Sequence, residues 1–455
     1  MLIPSMAAIL PALTLSLSPG FQETVPTVKT RPSSTELVKP ERIVTMDREG
    51  TVPARKLGGR PRQVEGLLVF DGADDGNRQV DPQIAVGGDH VLTATNGGLI
   101  AYDKSGEYVL GVHQRAFKNG IDPKLFFNRH SGVFGFDLWV YWDDAKRKPV
   151  NISISETDDP TGAWNTYSVN APGGVDGGAI GSSRRWTGYS FPGGKDRTFV
   201  LRTADMKAGK PTVAYHFEGN LGHPVLGQDP VDPLYFLKVT GKEFIVNVVE
   251  QDFAAEVDGS DSGEGMGAYP AWRQVGATAH GLEFAGSPPQ SPQKGTEQLT
   301  SSGDRRPKNV VLQGGFLWFS HTVNCRGRAA VQWHQVRLDG SIVQTGLVAS
   351  ETSSYIQTSL AVNKNLDVLV GFQETGSDRF ISPRVAWRRS GDEPGTLRAT
   401  VSLGEGQGAT DGVAWGDYSG SCVDGDNLTD LWTVQSITDA DGKGDTVIAR
   451  ISVED

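Results

Sequence analysis

One phrase that recurs seven times, a composition rich in turn residues and a spacing suited to small sheets together predict an all-β fold: a β-propeller of four-stranded blades, seven or alternatively six, closed by an N-terminal strand. The 455 residues include Gly 57 and Pro 25 against Met 5, a balance that favours many short strands and tight turns over helices. The phrase is a polar or acidic residue, often followed by Pro, then a short apolar run, a turn, and a strongly β-prone run. Its starts lie between about 40 and 75 residues apart, enough for one blade and its loops.

The first repeat is Asp81-Pro82-Gln83-Ile84-Ala85-Val86 with the turn Gly87-Gly88-Asp89, leading to His90–Thr95. The second runs from Asp122-Pro123-Lys124 through Phe127 to Val133 and Trp142, and the third, looser, from Asp176 through Ile180 and Trp186 to Thr198–Arg202. The fourth starts at Asp232-Pro233, the fifth at Arg306-Pro307, the sixth at Thr358 and the seventh at Asp417. Each start is read as the head of an innermost strand. Between the third and fourth strands, hairpin turns recur at Asp158–Trp164, Asp339-Gly340-Ser341 and Asp392–Leu397, with the Gly, Pro and Asp that such turns need. After the seventh start only Leu431–Ile437 and Thr446–Ile451 remain as good strands, so the last blade lacks its outer strand. The run Leu67-Leu68-Val69-Phe70 is free to supply it and so remove an open sheet edge.

Residues 1–20 read as a signal peptide: Met6–Leu17 has the length of its apolar core, although no Lys or Arg precedes Lys29. Residues 21–62 read as a poorly ordered polar segment, and 63–455 as one propeller domain with a Gly/Ser/Pro-rich insertion near 258–304. The expected location is secreted, periplasmic or at the cell surface. A net charge of −11 argues against nucleic-acid partners, which require a concentrated basic field, and no segment has the 18 to 20 apolar residues of a membrane span. Cys325 and Cys422, the two cysteines, suit either one disulfide or two buried thiols.

The pieces Asp81–Gly87 with Asn96, Ser155–Trp164, Pro383–Thr396 and above all Trp415-Gly416-Asp417-Tyr418-Ser419-Gly420 resemble bacterial secreted propeller proteins of the sialidase-like, Asp-box superfamily. Ser155–Trp164 and Ser390–Leu397 are degenerate relatives of the Asp-box. The resemblance covers the chain from about Leu67 onward and implies the fold more firmly than the activity. A sialidase-type reading makes Tyr418 the nucleophile, a nearby carboxylate its base, and arginines the clamp on a substrate carboxylate.

The starts of innermost strands surround one mouth of a propeller's channel, which places Asp81, Asp122, Asp176, Asp232, Arg306 and Asp417 in a ring. Close carboxylates suit acid–base work or a bound cation, calcium being the candidate; alternatively each Asp-Pro simply caps its strand. Candidate catalytic residues are Asp417, Tyr418, Asp81 and Asp122, and candidate substrate contacts are Arg185, Arg306, Arg384, His321 and Trp415. Most of the ten Trp are expected between sheets, with a few free to stack on sugars. The loop Asp439–Asp445 resembles the start of a calcium loop but reads better as a hairpin turn. The functional expectation is a glycan bound or processed at the channel mouth, by a hydrolase or lyase if an enzyme; the alternative is a protein-interaction or calcium-stabilised scaffold.

Overall fold

The computed structural model describes residues 29–45, 61–74, 79–118, 120–139, 147–172, 177–191, 198–251, 269–280, 286–411 and 415–452. Among them helix is confined to one short 3-10 turn, Gln114–Phe117, and one five-residue helix, Thr203–Lys207. The signal peptide, Asp176 and Trp142 lie outside the described residues.

Strands succeed one another as antiparallel meanders. The first sheet is Gln83–Gly87, His90–Ala94, Gly98–Asp103 and Tyr108–His113. The second is Ile121–Asn128, Val133–Trp139, Arg147–Ser155 and Ala163–Pro172. A third meander, Ala179–Ser182 to Thr212–Phe217, and a fifth, Val310–Gln313 to Ile342–Val348, flank a fourth sheet built on His223–Pro224, Leu234–Val239, Glu243–Gln251 and Pro270–Ala279. The sixth is Ser354–Val362, Val368–Gly376, Arg379–Arg388 and Val401–Ser402. Gly420–Val423, Leu431–Thr438 and Gly444–Ile451 begin the last.

The arrangement is a β-propeller, with a correction to the expected seven or six blades. Five sheets stand as separate blades, whereas the third and fifth meanders share one ten-stranded sheet. Leu226–Gly227 joins them, pairing in parallel with Ser182 on one side and with Val311 and Leu312 on the other. The close approach depends on Gly181, where a Cβ would fall 2.6 Å from the Pro224 carbonyl carbon. The fourth repeat was also misregistered. Asp232 precedes the second strand of its sheet, because the innermost segment is His223–Gly227.

Closure is as the sequence predicts. Leu67–Asp74 pairs antiparallel with Gly444–Ile451, Val69 opposite Ala449 and Phe70 opposite Ile448, and completes the last sheet from the outside. The edge is extended by Arg62–Val64. Part of the segment expected to be poorly ordered is strand as well: Ser34–Val38 adds to the third meander and Pro40–Val44 to the second sheet. Both cover sheet edges that would otherwise present unpaired backbone groups.

Alternating side chains from neighbouring sheets interdigitate around the ring. Phe70, Ile84, Val86 and Trp432 seal the last sheet against the first, and Leu67, Val385, Leu431 and Val447 seal it against the sixth. Trp164, Trp186, Trp318, Trp333, Trp415 and Trp432 are all fully buried in such contacts. Cys325 and Cys422 are not bridged: they lie on Phe316–Cys325 and Gly420–Val423, strands of different sheets.

Leu67 is buried in the seal between the sixth and last sheets, so Leu67→Ala should cost about 2–5 kcal/mol in urea unfolding. A change below about 0.5 kcal/mol, as at an ordinary surface site, would show that the closing strand contributes little.

Candidate functional site at the channel mouth

Three non-glycine residues in or just before innermost strands lie in the left-handed region: Asp81 at φ 51°, Asp122 at φ 55°, and Gln357 at φ 50°, the last at a bulge inside Ser354–Val362. Such strain persists only where surrounding contacts hold it. For Asp81 they do. Its Oδ1 accepts the Asp417 N–H at 2.5 Å, and its Oδ2 accepts Asn96 Nδ2 at 2.7 Å. Asn96 Oδ1 in turn accepts the Asp122 N–H at 2.9 Å. One polar chain thus ties the last sheet to the first and the first to the second. Gln357 acts alike on the other side, donating to the Gly416 carbonyl at 2.5 Å while its own carbonyl accepts Ser419 Oγ.

Asp81 is 2% exposed, and burial, opposed by the Asp417 N–H and reinforced by Asp122 and Asp417, pushes its carboxyl up to about 6. Asp137 accepts the Lys124 backbone N–H at 3.1 Å and is pushed up by burial to about 7, against the pull of the Lys124 charge.

Inside this polar collar lies a cavity of about 170 Å³. Lys124, Lys238, Arg306, Lys308, His223, Asn220 and Tyr418 are among its walls, and no acidic residue among those described lines it. Tyr418 is the centre of the cationic group. Lys124 Nζ lies 2.8 Å from its ring centroid, Lys308 Nζ 5.1 Å away, and Arg306 stands near its hydroxyl by Gly177. Burial, with Asp122, Asp81 and Asp417 nearby, holds the phenol well above its usual range. Arg306 and Lys308 share Asp304, at 2.5 and 3.3 Å; burial works against that carboxylate, yet the two cations bring it below the ordinary value. His223 sits between the Pro224 and Lys308 carbonyls, and burial lowers it to about 4.

Asp81, Asp122, Asp417, Tyr418 and Arg306 therefore lie near one another at one mouth. The other candidates do not join them. Arg185 lies in the turn after the third innermost strand, at the opposite mouth, held by Asp232 at 3.1 Å and by Gln251. Arg384 is buried in the third strand of the sixth sheet, bonded to Glu374 at 2.8 Å and Glu405 at 2.9 Å. His321 turns into its sheet, with Nε2 3.1 Å from His334 Nε2 and Nδ1 2.9 Å from the Arg305 carbonyl. Trp415 is buried among Ala329, Ile356 and Ile381 and donates to Gln373, so it offers no face to a sugar.

As for calcium, no group of three candidate ligands gathers among the described residues, and Asp439 accepts the Asp441 and Lys443 N–H groups as a hairpin turn does. The lysines were the missed residues. Their signal is the repeated Pro-Lys at two strand starts, Pro123-Lys124 and Pro307-Lys308, which sets both ammonium groups over one ring.

No protein-family profile matches this sequence, and no curated protein matches it either. Similar solved structures include a protein of unknown function from Dyadobacter fermentans, at 7% identity over 86% of this chain and 100% of that one, TM-score 0.40. Another is AztD from Citrobacter koseri, at 11% identity over 82% and 95%, TM-score 0.35. A third is the α-L-arabinofuranosidase Arb93A from Fusarium graminearum, at 8% identity over 95% and 98%, TM-score 0.30.

Asn96→Ala would leave the buried Asp81 carboxylate and the Asp122 N–H short of a partner, and should cost about 1–3 kcal/mol by denaturant unfolding; a neutral substitution would show that water replaces the amide. Burial lowers His321 to about 4 from an ordinary 6.5, so the fold keeps it neutral while the unfolded chain protonates below 6.5. Stability from this site is full above pH 6.5 and drains as pH falls toward 4, whereas Asp81 and Asp137, with raised values, act in the opposite sense. The deficit of His321→Gln relative to the parent should therefore shrink on acidification by up to about 1.4 kcal/mol per pH unit. A deficit constant between pH 7 and 4.5 would rule this out.

Proposed function

We propose that this protein is an exported propeller that binds an acidic glycan, taking a carboxylate-bearing sugar into the channel mouth beside Tyr418. The observation that carries the reading is the lining of the cavity: Lys124, Lys238, Arg306 and Lys308 converge there in a chain whose net charge is −11. Four cations, of which Arg306 and Lys308 share the single carboxylate of Asp304, gather against the overall charge and favour an anionic ligand. At about 170 Å³ the cavity is smaller than the roughly 300–1,000 Å³ clefts that enclose larger ligands, which suits one sugar unit at the end of a chain.

Within this reading Tyr418 binds rather than attacks. A phenol held above its ordinary value keeps its proton and serves as a hydrogen-bond donor. Asp81 holds the neighbouring Asp417 N–H and is tied through Asn96 to Asp122, and the sialidase-like resemblance supports the ligand class rather than turnover.

Arg306 is 44% exposed and near the mouth, so Arg306→Gln should spare the thermal midpoint. It should weaken binding of an oligogalacturonate or sialyl-oligosaccharide roughly tenfold or more by titration calorimetry. Equal affinity of the parent for neutral glycans, or no loss in the variant, would sink the proposal.

A further inference from the structure

Lys124 stands apart from the other cations of the mouth. Its side chain is carried inward by the strand Ile121–Asn128, the residue is 4% exposed, and it lines the cavity. Buried ammonium groups ordinarily hold an ion pair. Among the described residues Lys124 has none within 4 Å: its Nζ reaches only the Pro123 carbonyl, at 3.5 Å, and the face of Tyr418. Lys308, by contrast, is paired with Asp304, and Arg306 with the same carboxylate. A buried, poorly satisfied amine aimed into a cavity calls for a functional account.

We propose that Lys124 is a nucleophilic amine that forms a reversible imine with the carbonyl carbon of an anionic sugar's open-chain end, an aldehyde or 2-oxo acid, whose carboxylate Arg306 and Lys308 hold. The inference rests on the acidic-ligand reading of the same site and gives it a chemistry. The Nζ lone pair bonds to the carbonyl carbon while the carbon–oxygen π pair moves to oxygen. The resulting carbinolamine loses its hydroxyl and a nitrogen proton as water, leaving C=N and no net oxidation. Hydrolysis reverses each step.

The surroundings suit this chemistry. Burial is the main influence on Lys124, opposed by Asp137, Asp122 and Asp81 and aided by Lys308, and it brings the amine down to about 8. Near neutral pH the free amine is then on the order of a hundredfold more abundant there than on an ordinary lysine. Asp137, the carboxyl that accepts the Lys124 backbone N–H, is pushed up by burial to about 7, so it can exchange protons in the same range.

The test is reductive trapping of the full chain with cyanoborohydride at neutral pH, in separate reactions with pyruvate, N-acetylneuraminate and D-glucuronate, followed by peptide mapping. Labelling of Lys124 should exceed the mean of the other lysines by roughly tenfold or more, and this excess should vanish when the protein is unfolded in urea before trapping. The 2-oxo acids and the aldehyde sugar distinguish the two carbonyl types; labelling by either supports the inference. Lys124→Arg should abolish trapping at this position while the exposed lysines keep their low background labelling. Labelling spread evenly over exposed lysines, with Lys124 unmodified, would overturn it. Acidic-glycan binding without trapping refutes the imine alone, whereas loss of both refutes the acidic-ligand reading as well.

Discussion

Ring closure is the constraint on which everything else depends. A row of twisted sheets has two raw ends, and here they meet because Leu67–Asp74, from the start of the domain, pairs with Gly444–Ile451 at its end. Once the ends are joined, Gly420–Val423 of the last sheet lies against Gln83–Gly87 of the first, and the innermost strands converge on one axis. The Asp81 hydrogen bond to the Asp417 N–H spans this seam, so the site's central carboxylate also locks the closure. Site and stability share one set of atoms.

That sharing explains the electrostatics of the mouth. The Asp81 carboxylate is consumed by the Asp417 N–H and by Asn96 Nδ2, and Asp122 joins the same chain through its own N–H on Asn96 Oδ1. The cations beyond them are left facing inward: Lys124 and Lys308 on Tyr418, and Arg306 near its hydroxyl. A chain with net charge −11 thereby lines one cavity with Lys124, Lys238, Arg306 and Lys308.

How much of the site could be read from the sequence depended on whether a residue's role follows from its strand position. Asp81, Asp122, Arg306 and Asp417 were found because each heads an innermost strand, and that position alone assigns the mouth. Arg384 and His321 were misplaced because a strand's direction does not reveal which face a side chain takes or what it meets there. Arg384 meets Glu374 and Glu405, and His321 meets His334. Asp232 was misplaced because its repeat is misregistered, whereas Arg185 follows the innermost strand Ala179–Ser182 and so stands at that strand's far end.

By itself, then, the sequence determined the alternation of strand and turn, the closing role of Leu67–Phe70 and the mouth-forming residues. These follow from local periodicity, turn chemistry and the need to satisfy a sheet edge. Only the tertiary structure decided that Leu226–Gly227 would fuse two meanders into one sheet, that Ser34–Val38 and Pro40–Val44 would cover outer edges, and that Lys124 would lie against the face of Tyr418. These are contacts between segments far apart in the chain. They are set by which surfaces the closed ring brings within hydrogen-bonding reach, and no local pattern encodes that distance.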